Sequence, residues 1–428
     1  MRPIFKRLIN AKRPEFIFSL AYFSKQPTPS IAMHKALWLR SCHSTKGILI
    51  QILSSCRWYG FWVWRTSYQF SKVVAQEQLD KYGLTRQKLF RELIRYGWFY
   101  SLTPSQYMRH QLYKESQKKL VFHFIYDHQL LHFHHHIHQD TPGYLSAVEL
   151  IADKHRFSMK LRQLGIPTVM SELFLTSSLK KDPSPLFQKK DVFCKPNQGS
   201  QGDDAFLLRY DAINNRYSLE PIHGNILYKH DDIDHYLKRI FSCHKKIITQ
   251  PFVPDHDELK VTFSTNITTT VRIITGRHKP NMPPVVLYLQ LEIAKTKKTI
   301  GKKKMKQFYT ILPLNWKTLD IDTVFQEKYP DLLEEIQPIS ETLKKLLRDS
   351  QKYCIEAHQR MLPLKSVAFD VCLTPAGPVI LEANFNWSMT LLYQVIAGDP
   401  LTKTHSHPAA EWLRHMFFLR RNMWPAVK

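Results

Sequence analysis

Two short apolar runs near the C-terminus constrain the chain most. Phe369-Asp370-Val371-Cys372-Leu373 and Val379-Ile380-Leu381-Glu382-Ala383-Asn384 flank the turn Thr374-Pro375-Ala376-Gly377-Pro378, which reads as a hairpin. Alternation along a strand sends residues of like parity to one face. Glu382 and Asn384 therefore point the same way, and a hairpin partner can bring Asp370 beside them. Acids in such apolar surroundings are costly without a cation or a partner. Two carboxylates and a carboxamide oxygen form a hard, oxygen-only set suited to Mg²⁺ bridging phosphates. The plainer alternative is a pair of strand-end acids neutralised by lysines.

A second stretch runs from Val192-Phe193-Cys194-Lys195 into Pro196-Asn197-Gln198-Gly199-Ser200-Gln201-Gly202-Asp203-Asp204. A strand ends in a lysine, and a small-residue loop follows. Such a loop lets backbone N–H groups approach phosphate oxygens while Lys195 adds a point charge. It is not a Walker A loop, because no Gly-Lys-Ser/Thr follows; a plain hairpin turn would also use Gly and Asn. Ile247-Ile248-Thr249-Gln250-Pro251-Phe252-Val253 is an apolar strand entering a proline-punctuated connector, with Asp255, Asp257 and Glu258 just beyond. Thr269-Thr270-Val271-Arg272-Ile273-Ile274 holds one arginine in an apolar strand, which is expensive unless it faces an anion.

The pattern along the chain is α+β, with strands that pair mostly as antiparallel hairpins rather than in a βαβ series. Asp153–Leu164 is expected to be a helix closed by Gly165-Ile166-Pro167. Strands are expected at 169–175, 191–195, 205–210, 216–221, 246–252, 268–275, 285–293, 366–373 and 379–383. Helices are expected at 231–241, capped by Asp231, and at 331–361 with a break at Pro338. The expected organisation is a basic, aromatic-rich helical region over 1–140, subdomains over 141–250 and 251–400, and a helical tail over 401–428. In the first region Leu89, Leu93 and Tyr96 share one helical face.

The order of these parts resembles the ATP-grasp superfamily over roughly Asp153 to Asp399. The likeness is strongest to the sugar-transfer-associated proteins, which also look like distant relatives of D-alanine–D-alanine ligases and glutamate ligases. The resemblance implies an ATP-grasp fold in which two α+β subdomains clasp ATP, preceded by the helical N-terminal region. Lys154 and Lys195 would be the nucleotide-binding lysines, with Gly199, Ser200 and Gly202 in the lid over the phosphates. Gln250 and Val253 would line the adenine, and Asp257 or Glu258 would take the ribose hydroxyls. Arg272 would stabilise the transferring phosphoryl group while Lys195 contacts the α-phosphate and helps neutralise the triphosphate, and Asp370, Glu382 and Asn384 would hold Mg²⁺. The implied reaction is ATP-dependent activation of a carboxylate as an acyl phosphate for attack by an amine or thiol, in polysaccharide or cell-envelope modification. The family's fold also accommodates phosphate transfer to a non-carboxylate acceptor.

Two stretches depart from the family. Phe385-Asn386-Trp387-Ser388 stands where a proline or glycine is common, and a lysine cluster from Lys295 to Lys306 replaces a glycine-rich loop. Those regions would hold the substrate, so its identity stays open between small-molecule, glycan-linked and lipid-linked carboxylates.

Composition bears on partners. Among 428 residues, 61 Lys and Arg stand against 36 Asp and Glu, a formal charge of +25. That field attracts polyanions without choosing among them. It suits a peripheral contact with an anionic membrane or polysaccharide, and it leaves a non-catalytic basic module for nucleic acid or membrane as a rival; nucleic acid is the less favoured partner. The six cysteines are scattered without a C-x-x-C pair, as for buried thiols in a reducing, cytoplasmic setting. Gly47 to Trp64 is interrupted by Arg57 and falls short of a membrane span. The seven histidines between His123 and His138 lack the acid of an H-E-x-x-H pattern, and the neighbouring Phe and Leu suggest a partly buried helix.

Overall fold

The computed structural model describes residues 19–41, 45–199, 204–222, 225–263, 268–279, 281–295, 308–328, 338–389, 392–396, 399–401 and 407–418. The chain divides into two compact units, one of Met1–Asp140 with Asn386–Lys428 and the other of Thr141–Phe385. Ser200, Gly202, the lysines from Lys297 to Lys306 and the first residues of the 331–361 segment lie outside the described residues.

The Thr141–Phe385 unit is built on two five-stranded antiparallel sheets. The first joins β1 (Glu172–Leu175), β2 (Val192–Pro196), β3 (Phe206–Asp211), β4 (Arg216–Pro221) and β5 (Lys246–Pro251) in the order β1-β5-β2-β3-β4. The helix His230–Cys243 covers it, and Ile233, Leu237, Ile240 and Phe241 pack on Val192, Cys194, Phe206 and Leu208. That helix starts one residue before the expected Asp231; Lys229 occupies the cap and no side chain bonds the free N–H groups there.

The second sheet joins β6 (Thr270–Gly276), β7 (Val285–Lys295), β8 (Phe308–Leu314), β9 (Ser366–Thr374) and β10 (Gly377–Asn384) in the order β10-β9-β6-β7-β8. Strand β9 is buried along its whole length. The helix Glu341–Met361 begins at Ser340, whose hydroxyl accepts from the Leu343 N–H. It turns Leu343, Leu347, Cys354 and Ala357 inward at helical spacing. Its His358 bridges the Thr275 hydroxyl at 2.7 Å and the Leu364 carbonyl at 2.8 Å.

Ahead of both sheets in sequence lies the helix Lys154–Gln163, capped by Asp153. Gly165, at φ +73, ends it, and the Ile166 N–H returns to the Leu161 carbonyl. The following residues reach the second sheet: the Ile380 N–H bonds the Pro167 carbonyl at 3.0 Å, and the Thr168 hydroxyl bonds the Ile380 carbonyl at 2.7 Å.

The other unit is helical among its described residues. Thr45–Arg57, a π-helical turn at Trp58–Trp62 and Val63–Val73 follow without a break. Val63–Val73 packs on Arg86–Tyr100, whose inward residues include Leu89, Leu93 and Tyr96. The two helices approach closely at Gly97, whose carbonyl accepts from Trp58 Nε1 at 2.8 Å. The His-rich segment forms the helix Leu130–His138 with His134, His136 and His138 buried. His134 Nε2 lies 3.0 Å from the Trp387 carbonyl, and burial takes its pKa down to about 4, so the ring is neutral. Among the described residues no three His, Cys, Asp or Glu side chains converge as a metal cage.

Candidate active site

The site begins with a register fault. From the turn, β10 pairs with β9 so that Ile380 stands opposite Val371, and regular pairing would next place Leu381 opposite Asp370. A shift between Ile380 and Glu382 inserts one residue, and Glu382 takes the place opposite Asp370 instead. Across β9, Asp370 stands opposite Arg272 of β6, and Arg272 stands opposite Gln290 of β7. One row across four strands therefore reads Glu382, Asp370, Arg272, Gln290. Asn384 and Glu292 lie two residues further along their own strands on the same face, on opposite sides of that row.

The side chains in this row are joined. Arg272 grips Asp370 with two parallel bonds, Nε to Oδ1 at 2.8 Å and Nη2 to Oδ2 at 3.1 Å. Its Nη1 lies 2.9 Å from Glu292 Oε1, which also accepts from Gln290 Nε2 at 2.6 Å. Asn384 Nδ2 donates to Asp370 Oδ2 at 3.0 Å. Burial opposes the arginine's charge, but Asp370 and Glu292 outweigh it and raise its pKa further.

Two lysines lie near the row, Lys195 on the first sheet and Lys154 at the start of the helix Lys154–Gln163. Lys195, on β2, brings Nζ to 3.5 Å from Glu382 Oε2. Burial works against ionisation of Glu382, yet Lys195, Lys154 and Arg272 together hold its carboxyl below the ordinary value. Lys154 donates from Nζ to the Gly199 carbonyl at 2.7 Å. Its pKa is lowered by burial, with Glu382 opposing and Lys195 adding to the effect. Asn197 ties the two lysine-bearing elements together: its carbonyl accepts from the Lys154 N–H at 3.3 Å, and its Oδ1 from the His155 N–H at 3.0 Å. Asn197 Nδ2 is buried with no hydrogen-bond partner among the described residues.

The residues expected around the base and sugar are more dispersed. Gln250 is buried on β5 opposite Phe193. The Val253 carbonyl accepts from the Thr268 hydroxyl at 3.0 Å. Asp257 and Glu258 open the helix Asp257–Phe263; Asp257 pairs with Lys260 at 2.8 Å, and Glu258 accepts from the Ser340 hydroxyl. The acid drawn inward there is Asp255, whose two oxygens both accept from the Thr269 N–H at 2.9 Å. Burial raises its pKa to about 6.

Glu292 is the site acid that the sequence reading passed over. Burial raises its pKa, and the neighbouring Asp370 and Glu382 charges raise it further against the pull of Arg272. Asp370 and Glu292 thus share one cation, Arg272, at that end of the row. A divalent cation suits that imbalance, and every donor in the row is a hard oxygen. The acids do not converge as a closed cage. Magnesium seldom requires one, because it binds through one or two carboxylates and completes its shell with phosphates and water.

No protein-family model matches the chain, and no curated protein sequence matches it. Solved structures do resemble it. The VanG D-Ala:D-Ser ligase from Enterococcus faecalis is 12% identical, with 63% of this chain and 63% of that one covered at a TM-score of 0.39. The D-alanine–D-alanine ligase from Bacillus anthracis complexed with ATP is 10% identical, covering 65% and 70% at a TM-score of 0.36. The ATP-grasp ligase PsnB, complexed with a minimal precursor, is 12% identical, covering 63% and 61% at a TM-score of 0.34. The chain spans just under two thirds of the length of the VanG ligase.

Proposed function

We propose that the Thr141–Phe385 unit is an ATP-grasp ligase that uses Mg²⁺–ATP to convert a carboxylate into an acyl phosphate and then joins it to an amine. The observation that carries this reading is the meeting of Lys195 of the first sheet, and of Lys154 on a helix tied to it through Asn197, with Glu382, Asp370, Arg272 and the adjacent Glu292 of the second sheet. In that row each charge neutralises a neighbour. A triphosphate with its cation offers each of them a better partner: phosphate oxygens for Lys154 and Lys195, and a divalent ion for Asp370, Glu382 and Asn384, with Glu292 beside them.

In this reading Lys154 and Lys195 draw in and orient the phosphates, while Gly199 leads into the loop that covers them. The N–H donors that Arg272 does not spend on Asp370 and Glu292 meet the transferring phosphoryl group. Magnesium, when bound, spreads the charge of the phosphates and screens the approaching carboxylate from them. Gln250 and Val253 take the adenine edge. Asp257 and Glu258 are held by local partners and must exchange them to reach a ribose, so Asp255 joins them as a candidate.

A substrate carboxylate oxygen attacks the γ-phosphorus, the bond to the β-phosphate oxygen breaks, and ADP leaves. The amine then attacks the acyl carbon, inorganic phosphate departs, and the amine loses a proton. Positioning and electrostatics carry most of the acceleration. The basic charge of the chain favours a glycan-linked or lipid-linked carboxylate over a neutral partner.

Trapping with hydroxylamine tests the reaction class. Hydroxylamine with ATP and a panel of acids should give a hydroxamate and ADP in equal amounts. Phosphorylated product without hydroxamate would replace the ligase reading with transfer to another acceptor.

A further inference from the structure

In the helical unit, the outward side of one long helix is greasier than its buried side. Thr45–Arg57, the π-turn Trp58–Trp62 and Val63–Val73 make a continuous rod of about 40 Å at helical rise. Its buried stripe includes Gln51, Ser54, Ser67 and Ser71 beside Trp58 and Val63. The stripe steps by three or four residues along the rod and by five across the π-turn, so the turn keeps it in line. Facing outward are Leu49 (57% exposed), Ile52 (54%), Phe61 (50%), Trp64 (47%) and Tyr68 (51%). A helix meant for water shows the opposite arrangement.

The charge on this stretch is one-sided. No Asp or Glu occurs between Phe16 and Gln76, while Lys and Arg recur throughout. The cations sit among the rings: Arg57 lies 5.6 Å from the Trp62 ring centre, Arg65 5.5 Å from that of Phe61, and Lys72 4.3 Å from that of Tyr68. Aliphatic side chains, amphipathic rings and basic heads on one helix match the boundary between acyl chains and anionic headgroups. Among the described residues no helix is long and apolar enough to cross a membrane.

We propose that the outward face of the Thr45–Val73 rod docks the protein on an anionic phospholipid surface. Ile52, Phe61 and Trp64 enter the acyl boundary, and Arg65 and Lys72 meet the headgroups. This inference stands apart from the catalytic reading and does not need it.

Flotation of the full-length protein with vesicles tests it, comparing phosphatidylcholine alone with phosphatidylcholine plus phosphatidylglycerol. The wild type should float with the mixed vesicles, more weakly as salt rises, and much less with the neutral ones. F61S/W64S should lower partitioning about tenfold or more with an unchanged melting temperature. L49S/I52S, on the other side of the π-turn, should act in the same direction and serves if the first variant folds poorly. Binding to neither vesicle, or binding that both variants leave intact, would overturn the assignment. A dimer that these substitutions dissociate, without vesicle binding, would also overturn it and make the face a contact with a second copy.

Discussion

Lys195 Nζ stands 3.5 Å from Glu382 Oε2, so a lysine at the end of one sheet faces an acid at the edge of the other. Neither charge is placed by its own strand alone. The lysine depends on where β2 ends, and the acid depends on the inserted residue in β10 that brings it opposite Asp370. If the pair marks the phosphate and metal positions, Glu382→Gln keeps the shape and loses the charge. ADP release should then fall about a hundredfold or more, and Glu382→Ala should abolish it. A steady-state assay of ADP release in both variants, with folding verified by circular dichroism, checks this. Turnover unchanged in Glu382→Ala would remove the residue from the metal site.

Arg272 is the hub of the second sheet's charges. Replacing it with Met strands Asp370 and Glu292 on a mostly buried face without their cation. The expected cost is about 3 kcal/mol of folding stability, measured by urea denaturation near neutral pH. Arg272→Lys should recover only part of it, because an ammonium cannot make the paired bonds that the guanidinium makes to Asp370.

Asp255 gives the unit a pH signature. Its pKa rises from an unfolded value of 3.8 to about 6 in the fold, so the native state holds this proton more tightly. The stability from that proton is fully present below about pH 4 and is lost as pH rises through about 6. Asp255→Asn should therefore stabilise the protein by about 1 kcal/mol at neutral pH, after allowance for solvent screening. The advantage should vanish below about pH 4. Thermal melts of both proteins across that range decide the matter.

At Gly97 an added Cβ would overlap Val63 Cγ2. Gly97→Ala should cost about 1–3 kcal/mol through overpacking. Val63→Ala in the same chain should return part of that loss, and a double-mutant cycle by thermal denaturation reads the coupling.

Much of this was legible in the sequence where the signal is local. The β9–β10 hairpin shows in its alternation and its Gly377 turn, and the Lys154 helix in its Asp153 cap and Gly165 stop. Alternation also put Glu382 and Asn384 on one face. What escaped depends on partners far along the chain. Glu292 reads as one polar residue in an apolar strand; only the pairing of β7 with β6 sets it against Arg272. The residue inserted before Glu382 leaves no mark in composition. Asn197 reads as an ordinary turn residue until its amide meets His155. At the helix His230–Cys243, an acid near the start suggested a cap, but the helix begins one residue earlier with Lys229 at the cap.

In the proposed function the lysines and the acid row form a Mg²⁺–ATP cleft. Isothermal titration of the full-length protein with a non-hydrolysable ATP analogue, with and without Mg²⁺, tests it most directly. Micromolar binding that requires Mg²⁺ and weakens in Glu382→Ala is the expected result. Well-folded protein that binds no nucleotide under either condition would contradict the account and favour a basic binding module in its place.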